Sequence, residues 1–91
     1  MNDIPPDQSP ITYPCDFPIK VMGPQVPGFV ETMTTLVKQY DSDFDATSIE
    51  KRPSSKGNYL GLTITVRAIS RDQLDAIYRA LTSHPMVKYV L

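Results

Sequence analysis

Few residues in this 91-residue chain are of types that do chemistry, and their spacing excludes most of it. A Ser/His/Asp or Cys/His device needs an imidazole aimed at its nucleophile. The one histidine, His84, instead closes an amphipathic run just before Pro85, a helix C-terminus where the dipole favours an imidazolium. The one cysteine, Cys15, has no cation beside it, and Asp16 disfavours a thiolate there, so it reads as inert. One His and one Cys make no zinc ligand set. Asp41-x-Asp43-x-Asp45 resembles the opening of a calcium loop, but that loop needs Gly at its sixth position and Glu at its twelfth. Those positions hold Ala46 and Arg52, so the run reads as a solvated loop. No metal or other cofactor is expected, and neither is an enzyme.

The most distinctive local patch is Lys51-Arg52-Pro53-Ser54-Ser55-Lys56-Gly57-Asn58, with three cations, two hydroxyls and a flexible glycine. It reads as a docking surface, as an anion nest of backbone N–H groups with Lys56 nearby, or as a polar hairpin turn. RNA-recognition domains share the architecture derived below, and their third strand carries a basic residue, Gly, an aromatic and a second aromatic two places on. Here Lys56-Gly57 is followed by Asn58 and then Leu60, and Tyr59 is a single outward aromatic. Nucleic acid is therefore not the expected ligand. The alternative kept open is an RNA contact through the basic 51–58 hairpin and Arg67.

The elements that position these residues follow from hydrophobic spacing. Phe17, Ile19 and Val21 alternate with polar neighbours over residues 16–22, which predicts a half-buried strand, with Pro18 marking its start or an edge. Val26, Val30, Met33, Val37 and Tyr40 then recur at helical steps, flanked by Phe29 and Leu36. Residues 46–52 predict a weaker, charged edge strand, and Gly57-Asn58 a hairpin turn. Residues 59–68 alternate strictly, with Leu60, Leu62, Ile64, Val66 and Ala68 on one face, the signature of a central strand. Ser70-Arg71-Asp72-Gln73 is a capping box opening a second helix with the stripe Leu74, Ile77, Tyr78 and Leu81. Met86–Leu91 predicts a last strand. The order β-α-β-β-α-β predicts an α+β ferredoxin-like sandwich. Its four-stranded antiparallel sheet has the order 4-1-3-2, with both helices on one face.

Composition bounds the rest. Ninety-one residues make one domain, and 41% hydrophobic with 21% charged residues is ordinary for a soluble protein. Such a body is too small for a deep closed cofactor cavity. A net charge of −1 argues against broad electrostatic binding of nucleic acid. Pro5, Pro6, Pro10 and Pro14 predict a disordered proline-rich tail over residues 1–15, with the folded domain over 16–91. No apolar run approaches the ~18 residues of a membrane span, and the N-terminus lacks a secretory pattern. With no disulfide to form, the expected compartment is the cytoplasm.

Gly23 near the end of the first strand, the run Pro53-Ser54-Ser55-Lys56-Gly57-Asn58-Tyr59 and the final Val90-Leu91 resemble the YbeD family of small bacterial proteins of uncharacterised function. The resemblance covers residues 17–91. It implies the ferredoxin-like fold in the form of the ACT regulatory domains, which bind amino acids and control metabolic enzymes. It brings no catalytic or ligand residues with it. Val26-Pro27-Gly28-Phe29 resembles the Pro-Gly helix start that holds the effector in ACT domains. An amino-acid-like effector would then lie against Gly23, Gln25 and Gly28, its carboxylate meeting the helix N-terminus. In ACT domains an acidic residue commonly precedes Pro-Gly; here Val26 does, with Gln25 offering an amide. The expected function is a regulatory or adaptor domain that binds a protein partner or a small anionic effector. The expected surfaces are this turn and the patch Lys51, Arg52, Ser54, Ser55, Lys56 and Asn58. The sparsely charged Met86–Leu91 edge suggests a homodimer.

Overall fold

The structure, a computed structural model, describes residues 11–91. Its elements are β1 (Cys15–Pro24), α1 (Phe29–Lys38), a 3₁₀ turn (Ala46–Ser48), β2 (Glu50–Pro53), β3 (Tyr59–Ala68), α2 (Arg71–Ser83) and β4 (Tyr89–Val90). The sheet order is β2-β3-β1-β4, all antiparallel, which is the expected 4-1-3-2 read from the other edge.

The frame is the β1–β3 ladder, in register from Cys15 opposite Ala68 to Pro24 opposite Tyr59. Side chains alternate across a strand, so this register puts Ile19 and Val21 on one face with Leu60, Leu62, Ile64, Val66 and Ala68. Phe29, Met33 and Val37 of α1 and Leu74, Ile77 and Leu81 of α2 close over that face in a single core. The opposite face carries Asp16, Lys20 and Met22 of β1 and Gly61, Thr63 and Arg67 of β3.

Several boundaries differ from the spacing-based reading. Helix α1 begins at Phe29, and Val26 is 46% exposed. Gly28 is left-handed, with φ 92°, so the helical path cannot start before it, and Phe29 takes the core position that spacing assigned to Val26. Phe44, in what spacing reads as a solvated loop, is buried. Residues 46–48 curl into a 3₁₀ turn instead of opening β2. Asp45 Oδ1 accepts from the Thr47 N–H at 2.9 Å and from its hydroxyl at 2.7 Å, while the Ser48 hydroxyl donates to the Asp45 carbonyl at 2.6 Å. These local bonds outcompete a ladder. β4 shortens to Tyr89–Val90 because His84 Nδ1 accepts the Met86 N–H at 3.1 Å and the Val87 N–H donates to the His84 carbonyl at 3.0 Å, folding residues 84–87 into a turn. His84 is thus a turn-closing residue.

The expected tail boundary moves as well. Residues 1–10 lie outside the described residues, but Tyr13 and Cys15 pack against the core and Cys15 pairs with Ala68. The inward alternation of Phe17, Ile19 and Val21 runs back through Cys15 and Tyr13, leaving Pro14 and Pro18 facing outward. Pro18 sits inside β1, where β4 does not reach, so the strand has one neighbour at that level and the missing N–H is tolerated.

Two polar contacts fix the helices to the sheet. The Ser70 hydroxyl accepts the Gln73 N–H at 3.1 Å, as the capping box requires. The Gln73 side chain then reaches further than a box. Its Oε1 accepts from the Ile69 N–H at 2.8 Å, and its Nε2 donates to the carbonyls of Tyr40 at 2.9 Å and Arg67 at 3.2 Å. One side chain thereby ties the ends of α1 and β3 to the start of α2. Asp41 adds a second tie, accepting the Arg67 N–H at 3.0 Å.

At the other end, Gly23 is the contact on which α1 docks. A Cβ there would collide with the Phe29 ring and lie 2.9 Å from the Met86 carbonyl oxygen. Gly23→Ala is expected to destabilise the fold by about 2 kcal/mol through forced overpacking, measured as a lower urea midpoint at unchanged slope. A second prediction concerns pH. The Thr47 hydroxyl and then its N–H hold the Asp45 carboxyl below its ordinary value; slight desolvation opposes them and Lys38 adds a weaker pull. A lowered value means that the turn's support is complete above the ordinary carboxylate range and is lost as pH falls through the carboxyl's own midpoint. Carbon-detected titration of Asp45 should show a midpoint below that of an unstructured aspartate, and Thr47→Val should move it upward.

Candidate functional site

The two segments singled out by sequence meet at one end of the sheet. β1 ends at Pro24 opposite Tyr59, where β3 begins, so the turn after β1 and the hairpin before β3 lie side by side. The Gln25 N–H donates to the Asn58 carbonyl at 3.1 Å, joining them directly. Not every candidate residue is available there. Gly23 is buried beneath the Phe29 ring. The Ser54 hydroxyl accepts the Tyr59 N–H at 3.2 Å, and the Ser54 carbonyl accepts from Gly57 at 3.0 Å, so Ser54 builds the hairpin. Gln25, Gly28, Lys51, Arg52, Ser55, Lys56 and Asn58 are exposed. Gly28 has no side-chain cap beside it and open space where a Cβ would stand.

Charge is distributed along the strands. Lys51, Arg52 and Lys56 belong to this end, Lys88 Nζ stands 5.8 Å above the Tyr59 ring, and Lys20 projects from the open face. The acid among them is Glu50. The other end carries Asp16 and the loop acids Asp41, Asp43 and Asp45. There Arg67 pairs with Asp16 at 3.3 Å. Among the described residues the only other ion pair is Arg71 with Asp75 at 3.8 Å, so none of the cations of the basic end is paired. The near-zero net charge of −1 therefore conceals an uneven placement of charge along the strands. The three loop acids do not converge: Asp41 and Asp45 are engaged with Arg67 and Thr47.

Beside this end, the open face holds a depression that the spacing analysis did not single out. It measures about 360 Å³, and Lys20, Met22, Arg52, Gly61, Thr63 and Tyr89 are among its walls. Cross-strand register assembles it. Arg52 stands opposite Gly61, Gly61 opposite Met22 and Met22 opposite Tyr89, while Glu50, Thr63 and Lys20 form the adjacent row. Gly61 leaves a notch midway along that first row. The one sequence signal for it is a glycine in the interior of an otherwise strong strand.

Comparisons with known proteins agree with this architecture. A family model described as a protein of unknown function, DUF493, matches residues 8–91. A UPF0250 protein of Bordetella pertussis is 63% identical over 91 residues, covering all of both chains. Another, of Ralstonia nicotianae, is 63% identical over 87 residues, covering 96% of this chain and 90% of the relative. Among solved structures, the solution structure of protein HP0495 from H. pylori superposes with a TM-score of 0.75 at 16% identity, covering all of this chain and 98% of that one. The ACT domain from the GTP pyrophosphokinase of Chlorobium tepidum superposes at 0.56 and 20% identity, covering 85% of this chain and 97% of that one. The chain belongs to the DUF493/UPF0250 family, the same family as YbeD, and its fold is the ferredoxin-like sandwich in its ACT-like form.

Proposed function

We propose that this chain is a non-enzymatic regulatory or adaptor domain of the cytoplasm that recognises a protein partner through the basic end of its sheet. The observation that carries the reading is the junction itself. The Gln25–Asn58 hydrogen bond sets the turn and the hairpin side by side; Lys51 and Arg52 lie on the strand leading into the hairpin, Lys56 within it and Lys88 over the Tyr59 ring at its exit, and among the described residues none of the four is in an ion pair. Unpaired surface cations cost little in water and add mainly to encounter rate and selectivity for an oppositely charged surface. The ACT-like fold supports a regulatory role by analogy, since the Chlorobium neighbour is one domain of a larger enzyme. A protein partner is favoured over RNA because Lys88 already stands over the ring of Tyr59, the outward aromatic beside the basic hairpin.

A second reading, an amino-acid-like effector at the start of α1, rests on Gly28. It is exposed, no side chain caps the helix there, and its left-handed backbone leaves room for a carboxylate.

The test is capture from native cytosol with the wild-type chain and with the double variant K51E/K56E. Both positions are exposed, so the variant should fold with an unchanged melting temperature. The wild type should retain a protein that the variant loses, and raised salt should release it. Equal retention by both, or nothing retained specifically, would remove the basis for the reading. The effector reading predicts a saturable shift of the Gly28 amide on adding a free amino acid; a mixture of all twenty leaving that amide unmoved rejects it.

A further inference from the structure

We infer that the depression on the open face is a binding site for a small phosphate monoester carrying a planar ring. The inference deepens the regulatory reading by naming a ligand, and rests on it for the absence of turnover.

Gly61 lies in the interior of β3, a ten-residue strand. Glycine in the middle of a long strand sacrifices side-chain packing and backbone order, so it usually answers a local need. Two ordinary needs are absent here. Among the described residues, positive φ is confined to Gly28 and Gly57, so Gly61 has a backbone that any residue adopts. A Cβ at Gly61 would meet the Arg52 carbonyl oxygen and Met22 Cε, each at 3.5 Å, ordinary contact distances. Neither the backbone conformation nor the room for a Cβ requires glycine at this position. What glycine provides is the notch, and a notch in a sheet face is where a ligand comes close to the backbone.

The surroundings of the notch specify the ligand. Arg52 and Lys20 flank it from the two neighbouring strands, and among the described residues neither is in an ion pair. Two cations suit a phosphate monoester, close to a dianion at neutral pH, better than a single carboxylate, and Arg matches phosphate with a bidentate fork. Thr63 adds a hydroxyl. Met22 and the 51%-exposed Tyr89, opposite each other on β1 and β4, form an apolar shelf for a ring. Glu50, a lining residue opposite Thr63, would accept hydrogen bonds from the ligand's hydroxyls. The volume, about 360 Å³, is at the small end of sites that hold single organic ligands.

AMP serves as the probe, followed by amide shifts of the full chain, with inorganic phosphate, adenosine and a short single-stranded RNA as separate arms. Millimolar AMP should shift Lys20, Gly61, Thr63 and Tyr89 saturably. Phosphate and adenosine alone should each bind more weakly. Arg52→Ala should weaken AMP by at least about tenfold, while Lys38→Ala on α1 leaves it unchanged. Gly61→Val, a better strand residue, should raise the melting temperature and abolish binding, which separates a ligand site from a structural role. AMP recovered intact supports the proposal. Conversion of AMP would leave the site standing but overturn the non-enzymatic reading. AMP shifts that miss these residues, or that persist in both Arg52→Ala and Gly61→Val, would overturn the site. So would tighter binding of the RNA than of AMP.

Discussion

The antiparallel ladder between β1 and β3 sets the terms for every other part of the molecule. Its period of two sends each residue to one of two faces, and a slip of one position would exchange them. With Ile19 opposite Ile64 and Val21 opposite Leu62, the apolar residues of both strands share a face, and the helices have one surface on which to bury theirs. The short edge strands attach to this pair, β2 to β3 and β4 to β1. Helix placement is then held by a few specific contacts: the Phe29 ring on Gly23 at one end, and the Gln73 side chain across three elements at the other.

The same one-sidedness creates the surface proposed here for recognition. Spending both helices on one face leaves the other uncovered, with polar side chains, a glycine notch and two outward tyrosines, Tyr59 and Tyr89. Among the described strand and loop residues, charge separates along the strand direction: Asp16, Asp41, Asp43 and Asp45 lie toward the Cys15–Ala68 end, and Lys51, Arg52, Lys56 and Lys88, none of them in an ion pair, toward the Pro24–Tyr59 end. A chain that is nearly neutral in total is therefore polar in arrangement, and that arrangement suits recognition of an anionic group.

Much of the fold was legible in the sequence because the strongest signals are local. β3 reads directly from its ten alternating residues, and Ser70 with Gln73 marks the start of α2. Misreadings arose where one backbone angle or a few short hydrogen bonds overrode periodicity. Gly28 delays α1 and exchanges Val26 for Phe29 in the core, Asp45 draws residues 46–48 into a 3₁₀ turn, and His84 keeps Met86 and Val87 out of β4. Of the candidate site, the turn and the hairpin were visible as motifs, but not the bond from Gln25 to Asn58 that joins them. The open-face depression was illegible, since it exists only once register places Arg52, Gly61, Met22 and Tyr89 in one row. Gly61 was its single trace.

Two methionines report most directly on whether one face is buried and the other free. Met22 lies on the open sheet face beside Gly61, whereas Met33 is fully enclosed between α1 and the sheet. The measurement is the relaxation of their ε-methyl protons by a soluble paramagnetic agent. The account predicts strong broadening of the Met22 methyl and little effect on that of Met33. Equal protection of both methyls would mean that the outer face of the sheet is covered, contradicting the arrangement on which the proposed recognition surface stands.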